Sequence, residues 1–134
     1  MNVDFLDPPG LCPTFGWTHV VSVRNAAKTV YVSGQVAVDA KGSVVGKGDL
    51  KRQTEQAFEN VTIALTAAGA KWSDVVKTGI FVVGLKPTDV PILREVRSRY
   101  IDQKRPPAST LVGVAALVGA DWLIEMEVVA ELTN

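Results

Sequence analysis

Near its C-terminus the chain carries two apolar runs, Ser109 to Leu117 and Trp122 to Glu131, whose extended backbones are hydrophobic on both faces. Leu111 and Ala115 oppose Val112 and Val114, and Leu123 and Val129 oppose Ile124 and Val128. Strands of that kind must be covered on both sides. The rest of the sequence predicts two helices, enough for about one face of a sheet, so a second face is left without a layer from the same chain. At roughly 25 cal/mol per Å² of apolar surface removed from water, covering it favours association with another copy. The alternative is a sheet curved enough to fold over itself.

Local signals predict the order ββ-α-β-α-ββ, an α+β domain over 16–134 behind an N-terminal coil over 1–15 that carries Pro8, Pro9, Gly10 and Pro13. His19 to Val23 and Lys28 to Ser33 have strand character and read as a hairpin about Arg24-Asn25-Ala26-Ala27. A turn at Asp39 to Gly42 leaves room for a short extra strand at Val44-Val45. From the N-cap candidate Asp49, the positions Ala57, Phe58, Val61, Ala64, Leu65 and Ala68 recur at helical spacing, and Gly69 suits the left-handed end. Val75-Val76 and Gly79 to Val83 form a buried strand. Thr88 or Asp89 caps a second helix with Pro91 in its first turn, an apolar stripe of Leu93, Val96 and Tyr100, and Arg94, Arg97 and Arg99 in part on the other side. The two closing runs, separated by Val118 to Asp121, read as an antiparallel pair.

Composition narrows the function. Of 134 residues, 47% are hydrophobic and 21% charged, which excludes a disordered chain. Lys plus Arg and Asp plus Glu are 14 each, so no net field exists to hold nucleic acid or an anionic membrane, and neither is an expected partner. One cysteine, Cys12, and one histidine, His19, provide no internal disulfide and no Cys/His zinc cluster. The N-terminus lacks a basic segment followed by an apolar run, and no stretch approaches the roughly 20 apolar residues of a membrane span. A cytoplasmic location is expected.

Several fragments occur in a recognisable order: Val32-Ser33-Gly34-Gln35-Val36, Gly42, Gln53 to Asn60 leading to Ala67-Ala68-Gly69-Ala70, Asp74-Val75-Val76-Lys77, Pro107 to Val112, and Leu123-Ile124-Glu125-Met126-Glu127. Together they resemble the YjgF/YER057c/UK114 family, also called the Rid (reactive intermediate deaminase) family, from about Gly16 to Glu131. The resemblance implies a chorismate-mutase-like fold, a mixed sheet with two helices on one face, and a homotrimer with small-molecule clefts between subunits. It also implies cofactor-independent hydrolysis of imines or enamines to an oxo acid and ammonia. A non-catalytic trimeric binding or regulatory protein that kept the clefts is the alternative.

The site residues follow from the same resemblance. Family members use an arginine at the start of the penultimate strand to grip the substrate carboxylate as a bidentate pair; Ser109 stands there in this chain. Exchanging that pair for one neutral hydrogen bond removes about 1.5 to 3 kcal/mol of ligand binding. Trp17 takes the place of a tyrosine, Leu111 that of a cysteine, and Arg94 that of a helix asparagine, while the acidic residue that places the attacking water is kept as Glu125. Ser33 and Gly34 offer a hydroxyl and an unobstructed backbone to the same cleft.

Each candidate has a plainer counterpart. Glu125 could be an ion-pair partner across a subunit boundary, and Glu127 is the more structural of the two carboxylates. Ser33-Gly34 can mark only a close backbone approach, and Gln35 can satisfy local backbone groups. Arginines at 94, 97 and 99 ordinarily form a solvated helix face. His19 has no visible Ser or Asp partner, and nothing in the sequence lowers the pKa of Cys12. The glycine-rich run Gly42 to Gly48 lacks phosphate-loop spacing and leads into Asp49, which repels phosphate.

Overall fold

The computed structural model describes residues 1–134. Six strands, β1 (Asn2–Leu6), β2 (Val20–Arg24), β3 (Lys28–Val36), β4 (Val75–Val83), β5 (Ala108–Val114) and β6 (Ile124–Leu132), accompany two helices, α1 (Leu50–Ala67) and α2 (Val90–Arg97). β3, β6, β4 and β5 form a four-stranded sheet in that order, and β1 and β2 form a separate antiparallel ribbon. No helix is long and apolar enough to cross a membrane.

The helices form where local chemistry dictates. The Asp49 carboxylate accepts the Arg52 N–H at 3.0 Å, satisfying one of the unpaired donors at the start of α1. Gly69, at φ +77°, supplies the left-handed residue past its end. α2 follows a 3₁₀ turn at Pro87–Asp89; Asp89 accepts the backbone N–H of Lys86 at 2.8 Å and so secures that turn, making no side-chain cap on α2.

Both helices lie on one sheet face. Phe58, Val61 and Leu65 of α1 and Leu93 and Val96 of α2 meet Val30, Val32, Ile80, Val82, Ile124, Met126 and Val128 in a single core. Phe58 also stacks on Trp72 and Tyr100, with ring centres 5.2 and 4.9 Å away. The other sheet face has no layer over it: Tyr31 is 79% exposed, and Val112 is exposed as well.

Three expectations about pairing are corrected. The expected coil over 1–15 contains β1, whose Asn2, Asp4 and Leu6 pair with Arg24, Ser22 and Val20, so the N-terminus belongs to the fold and the irregular segment begins at residue 7. The hairpin expected between His19–Val23 and Lys28–Ser33 does not form. Asn25 turns the chain at φ 57°, but β3 pairs with β6 while β2 is taken by β1. The closing runs do not pair with each other either: β4 lies between them, antiparallel to β6 and parallel to β5. α2 is the crossover that a parallel β4–β5 pair requires. Val44 makes one bridge to Val38 in place of a short strand.

Candidate functional site

The crossover leaves a concavity between α2, the start of β5 and the loop before β2. It measures about 270 Å³ and is lined by Phe15, Trp17, Thr54, Phe58, Ile80, Val90, Leu93, Arg94, Arg97, Ser109, Leu111 and Ile124. Trp17 is brought here by its neighbour. Thr18 is buried, its N–H donates to the Pro107 carbonyl at 3.2 Å, and its hydroxyl donates to the Pro106 carbonyl at 2.6 Å. That clip ties the Trp17 loop to the chain entering β5, next to Ser109. Trp17 then sits edge-on to His19, with ring centres 4.6 Å apart.

Ser109 pairs across β4–β5 with Thr78, and its Oγ accepts the buried Thr78 hydroxyl at 2.8 Å. Cross-strand partners share a sheet face, so Ser109, Thr78, Ile80 and Leu111 all look toward the helices. Arg94 lays its guanidinium over the Phe15 ring, 4.6 Å from its centre.

Arg97, expected on a solvated helix face and not among the sequence's site candidates, is half-buried and lines the cavity. It lies four positions after Leu93 and one after Val96, within the buried stripe of α2, and that spacing was the available signal. Its Nε is buried without a hydrogen-bond partner. The end of its guanidinium packs on Gly16, where a Cβ would collide with Nη2. Burial pulls its pKa below the ordinary arginine value, and the neighbouring Arg94 charge adds to the effect. Neither arginine is in an ion pair; Arg94 is exposed, as is Arg99, which is held by Glu95 and Glu55, so only Arg97 departs from the solvated face expected of all three.

Glu125, Ser33 and Gly34 lie elsewhere. Glu125 pairs with Phe81, one position out of phase with Ile124 and Met126, so its side chain leaves the sheet on the open face, opposite the Ser109 pocket. Its carboxylate covers Gly34, where a Cβ would strike Oε1, and Gly34 stands in the bulge that shifts the β3–β6 register between Val32 and Gln35. The Gln35 amide donates to the Ser33 carbonyl at 3.1 Å. Ser33 borders a shallow groove with Tyr31, Lys77, Gly79 and Glu127. Within one chain, then, Ser109, Trp17 and Arg94 come together, while Glu125, Ser33 and Gly34 form a second group through the sheet. His19 joins neither as a free base: its Nε2 is 2.7 Å from the Cys12 carbonyl.

Comparison with known proteins agrees with this architecture. Residues 11–132 match the family model described as endoribonuclease L-PSP. A RutC family protein of Pyrococcus abyssi is 38% identical over 101 residues, covering 75% of this chain and 76% of its own. A 2-iminobutanoate/2-iminopropanoate deaminase of Dermatophagoides farinae is 35% identical over 105 residues, 78% of this chain and 77% of its own. The crystal structure of a Rid-family protein of unknown function from Yersinia pestis superposes with a TM-score of 0.87 at 33% identity, over 98% of this chain and 100% of that one. The chain therefore belongs to the endoribonuclease L-PSP family, the YjgF/YER057c/UK114 or Rid family that its sequence resembles.

Proposed function

We propose that this protein is a cofactor-independent hydrolase of imine or enamine metabolites, working in clefts where the Ser109 pocket of one subunit meets the Glu125 face of the next in a homotrimer. The observation that carries this reading is the apolar, arginine-bearing pocket beside Ser109 in a chain whose relatives include a named imine deaminase. Water adds to the electrophilic C=N carbon, and the Glu125 carboxylate accepts the water's proton. Glu125 passes that proton to the former imine nitrogen, giving the neutral amino alcohol; the hydroxyl proton then reaches the nitrogen through the same carboxylate, the C–N bond breaks, and ammonia and the C=O product leave. No electron is transferred.

The apolar wall explains why such a site helps. It limits access of bulk water to a reactive imine and strengthens the pull of any fixed charge on the bound ligand. An RNA substrate fits poorly, because the formal charge is zero and the two pocket arginines serve a cavity the size of one small molecule.

The test is an amino-acid oxidase that generates imines in the presence of semicarbazide. Adding the protein should slow semicarbazone formation as imine is diverted to the oxo acid, and Glu125→Gln should abolish that effect while leaving the fold intact. Identical traces with and without protein across short and long imines reject hydrolysis; the same pocket would then belong to a binding protein.

A further inference from the structure

We propose that Arg97, a residue of α2, is the carboxylate anchor of this pocket, and that the ligand it selects is an acid with a large apolar or aryl side chain; this deepens the hydrolase reading and rests on it for the imine part only. Three independent features meet at Arg97. Its Nε is buried without a hydrogen-bond partner, so the side chain carries its charge with one donor unsatisfied. The end of the guanidinium lies against Gly16, whose φ of 77° favours glycine and leaves that side of the arginine without a covering side chain. A second guanidinium, Arg94, lines the same cavity and is steadied by the Phe15 ring, yet no acidic side chain lines the cavity to balance the two charges.

A carboxylate supplies the negative charge that the lining of this cavity lacks. The Nη–H groups at the end of a guanidinium can face the two oxygens of a carboxylate, so the charge is neutralised at the cavity while Nε stays buried. Ser109, by contrast, has no charge, and its oxygen already accepts the Thr78 hydroxyl. The fork is thereby supplied from the helix side of the cavity, and the strand position is left small.

The remaining wall sets the size of the ligand. Phe15 and Trp17 provide rings, and Val90 and Leu111 provide aliphatic surface, over a floor of the buried Phe58, Ile80, Leu93 and Ile124. A two- or three-carbon acid leaves most of that surface wet, whereas an aryl side chain buries against it, so affinity should rise by about one to two powers of ten with the larger group.

The experiment uses 2-oxo-3-phenylpropanoate, its methyl ester and pyruvate, titrated calorimetrically into the full chain. The aryl acid should bind at least about tenfold more tightly than pyruvate, and esterification should weaken it by about tenfold or more. Arg97→Met should cost the acid that same factor and leave the ester unchanged, Arg97→Lys should recover part of it, and Arg99→Gln, an equal charge change outside the pocket, should do nothing. Equal affinity of acid and ester for the unaltered protein overturns the anchor without needing any variant, and so does an Arg97→Met variant that loses both alike. Pyruvate binding as tightly as the aryl acid overturns the size preference. If the aryl acid binds as stated but no imine is hydrolysed, the hydrolase reading fails and the anchor stands; if hydrolysis proceeds equally in Arg97→Met, the anchor fails and the hydrolase reading stands.

Discussion

Gly34 is a glycine because of what stands over it. A side chain there would meet the Glu125 carboxylate, so the bare backbone holds the space that the proposed water-placing residue occupies. Gly34→Ala should displace Glu125 and lower imine hydrolysis about tenfold, with a stability loss of about 1 kcal/mol in urea; unchanged turnover would separate Glu125 from the chemistry. Ser109 has a double role. Ser109→Ala removes the acceptor of a buried hydroxyl and should cost about 1 to 2 kcal/mol. Ser109→Arg adds a third guanidinium to a cavity that already holds two, so its gain on short imines should be larger, by about tenfold, when Arg97→Met has first removed a like charge. The residue scale is also where sequence reading was weakest for the site. Glu125, Ser109 and Trp17 could be named because they occupy aligned positions, but the partnerless state of Arg97 arises from Gly16, Leu93 and Arg94 converging in space, and no short motif records that.

At the scale of elements, α1 is the part that the sequence specified most completely, since its cap, its stripe and its left-handed end are all local chemistry. Strand identity was legible for the same reason in β2 to β6, but not in β1, which lies in the segment read as coil. Strand pairing was not, because it is decided by which partner remains available after α2 has carried the chain across to the parallel position beside β4. One buried side chain joins these levels. Gln53, with no exposed surface, donates to the carbonyls of Gly46 and Asp121 at 3.2 and 2.9 Å and accepts the Leu123 N–H at 2.9 Å. It therefore ties the loop before α1 and the loop before β6 to the helix that spans them. Gln53→Leu keeps the bulk and strands the Asp121 carbonyl and the Leu123 N–H, since Gly46 still accepts from Asp49, which should lower stability by about 2 kcal/mol with little change in the urea m-value. Gln53→Glu retains an acceptor for Leu123 and should show a loss that shrinks as pH falls and the carboxyl gains a proton to donate. Equal losses at pH 5 and pH 8 would mean that packing, not hydrogen bonding, sets the cost.

For the whole molecule, the decisive fact is that the two groups of candidate residues occupy opposite faces of one sheet. A site that needs both Arg97 and Glu125 cannot be completed by a single copy, and the open face bearing Tyr31, Val112 and Glu125 is the face that the apolar pattern of β5 and β6 leaves for another subunit. A cyclic assembly makes this testable, because each cleft then draws its pocket from one chain and its carboxylate from the next. At an aryl imine concentration well below KM, Glu125→Gln should be nearly inactive and Arg97→Met about tenfold or more less active. Unfolded together, mixed in equal amounts and refolded, they should regain activity, since a cleft that takes its pocket from a Glu125→Gln chain and its carboxylate from an Arg97→Met chain contains neither change; random assembly makes that about one cleft in four. Sedimentation of the mixture should show the same particle as the unaltered protein, and Tyr31→Asp should both dissociate that particle and abolish the recovered activity. No recovery from a mixture that sediments as one intact assembly would mean that both residues act, if they act at all, within the same chain, and the shared cleft would have to be abandoned.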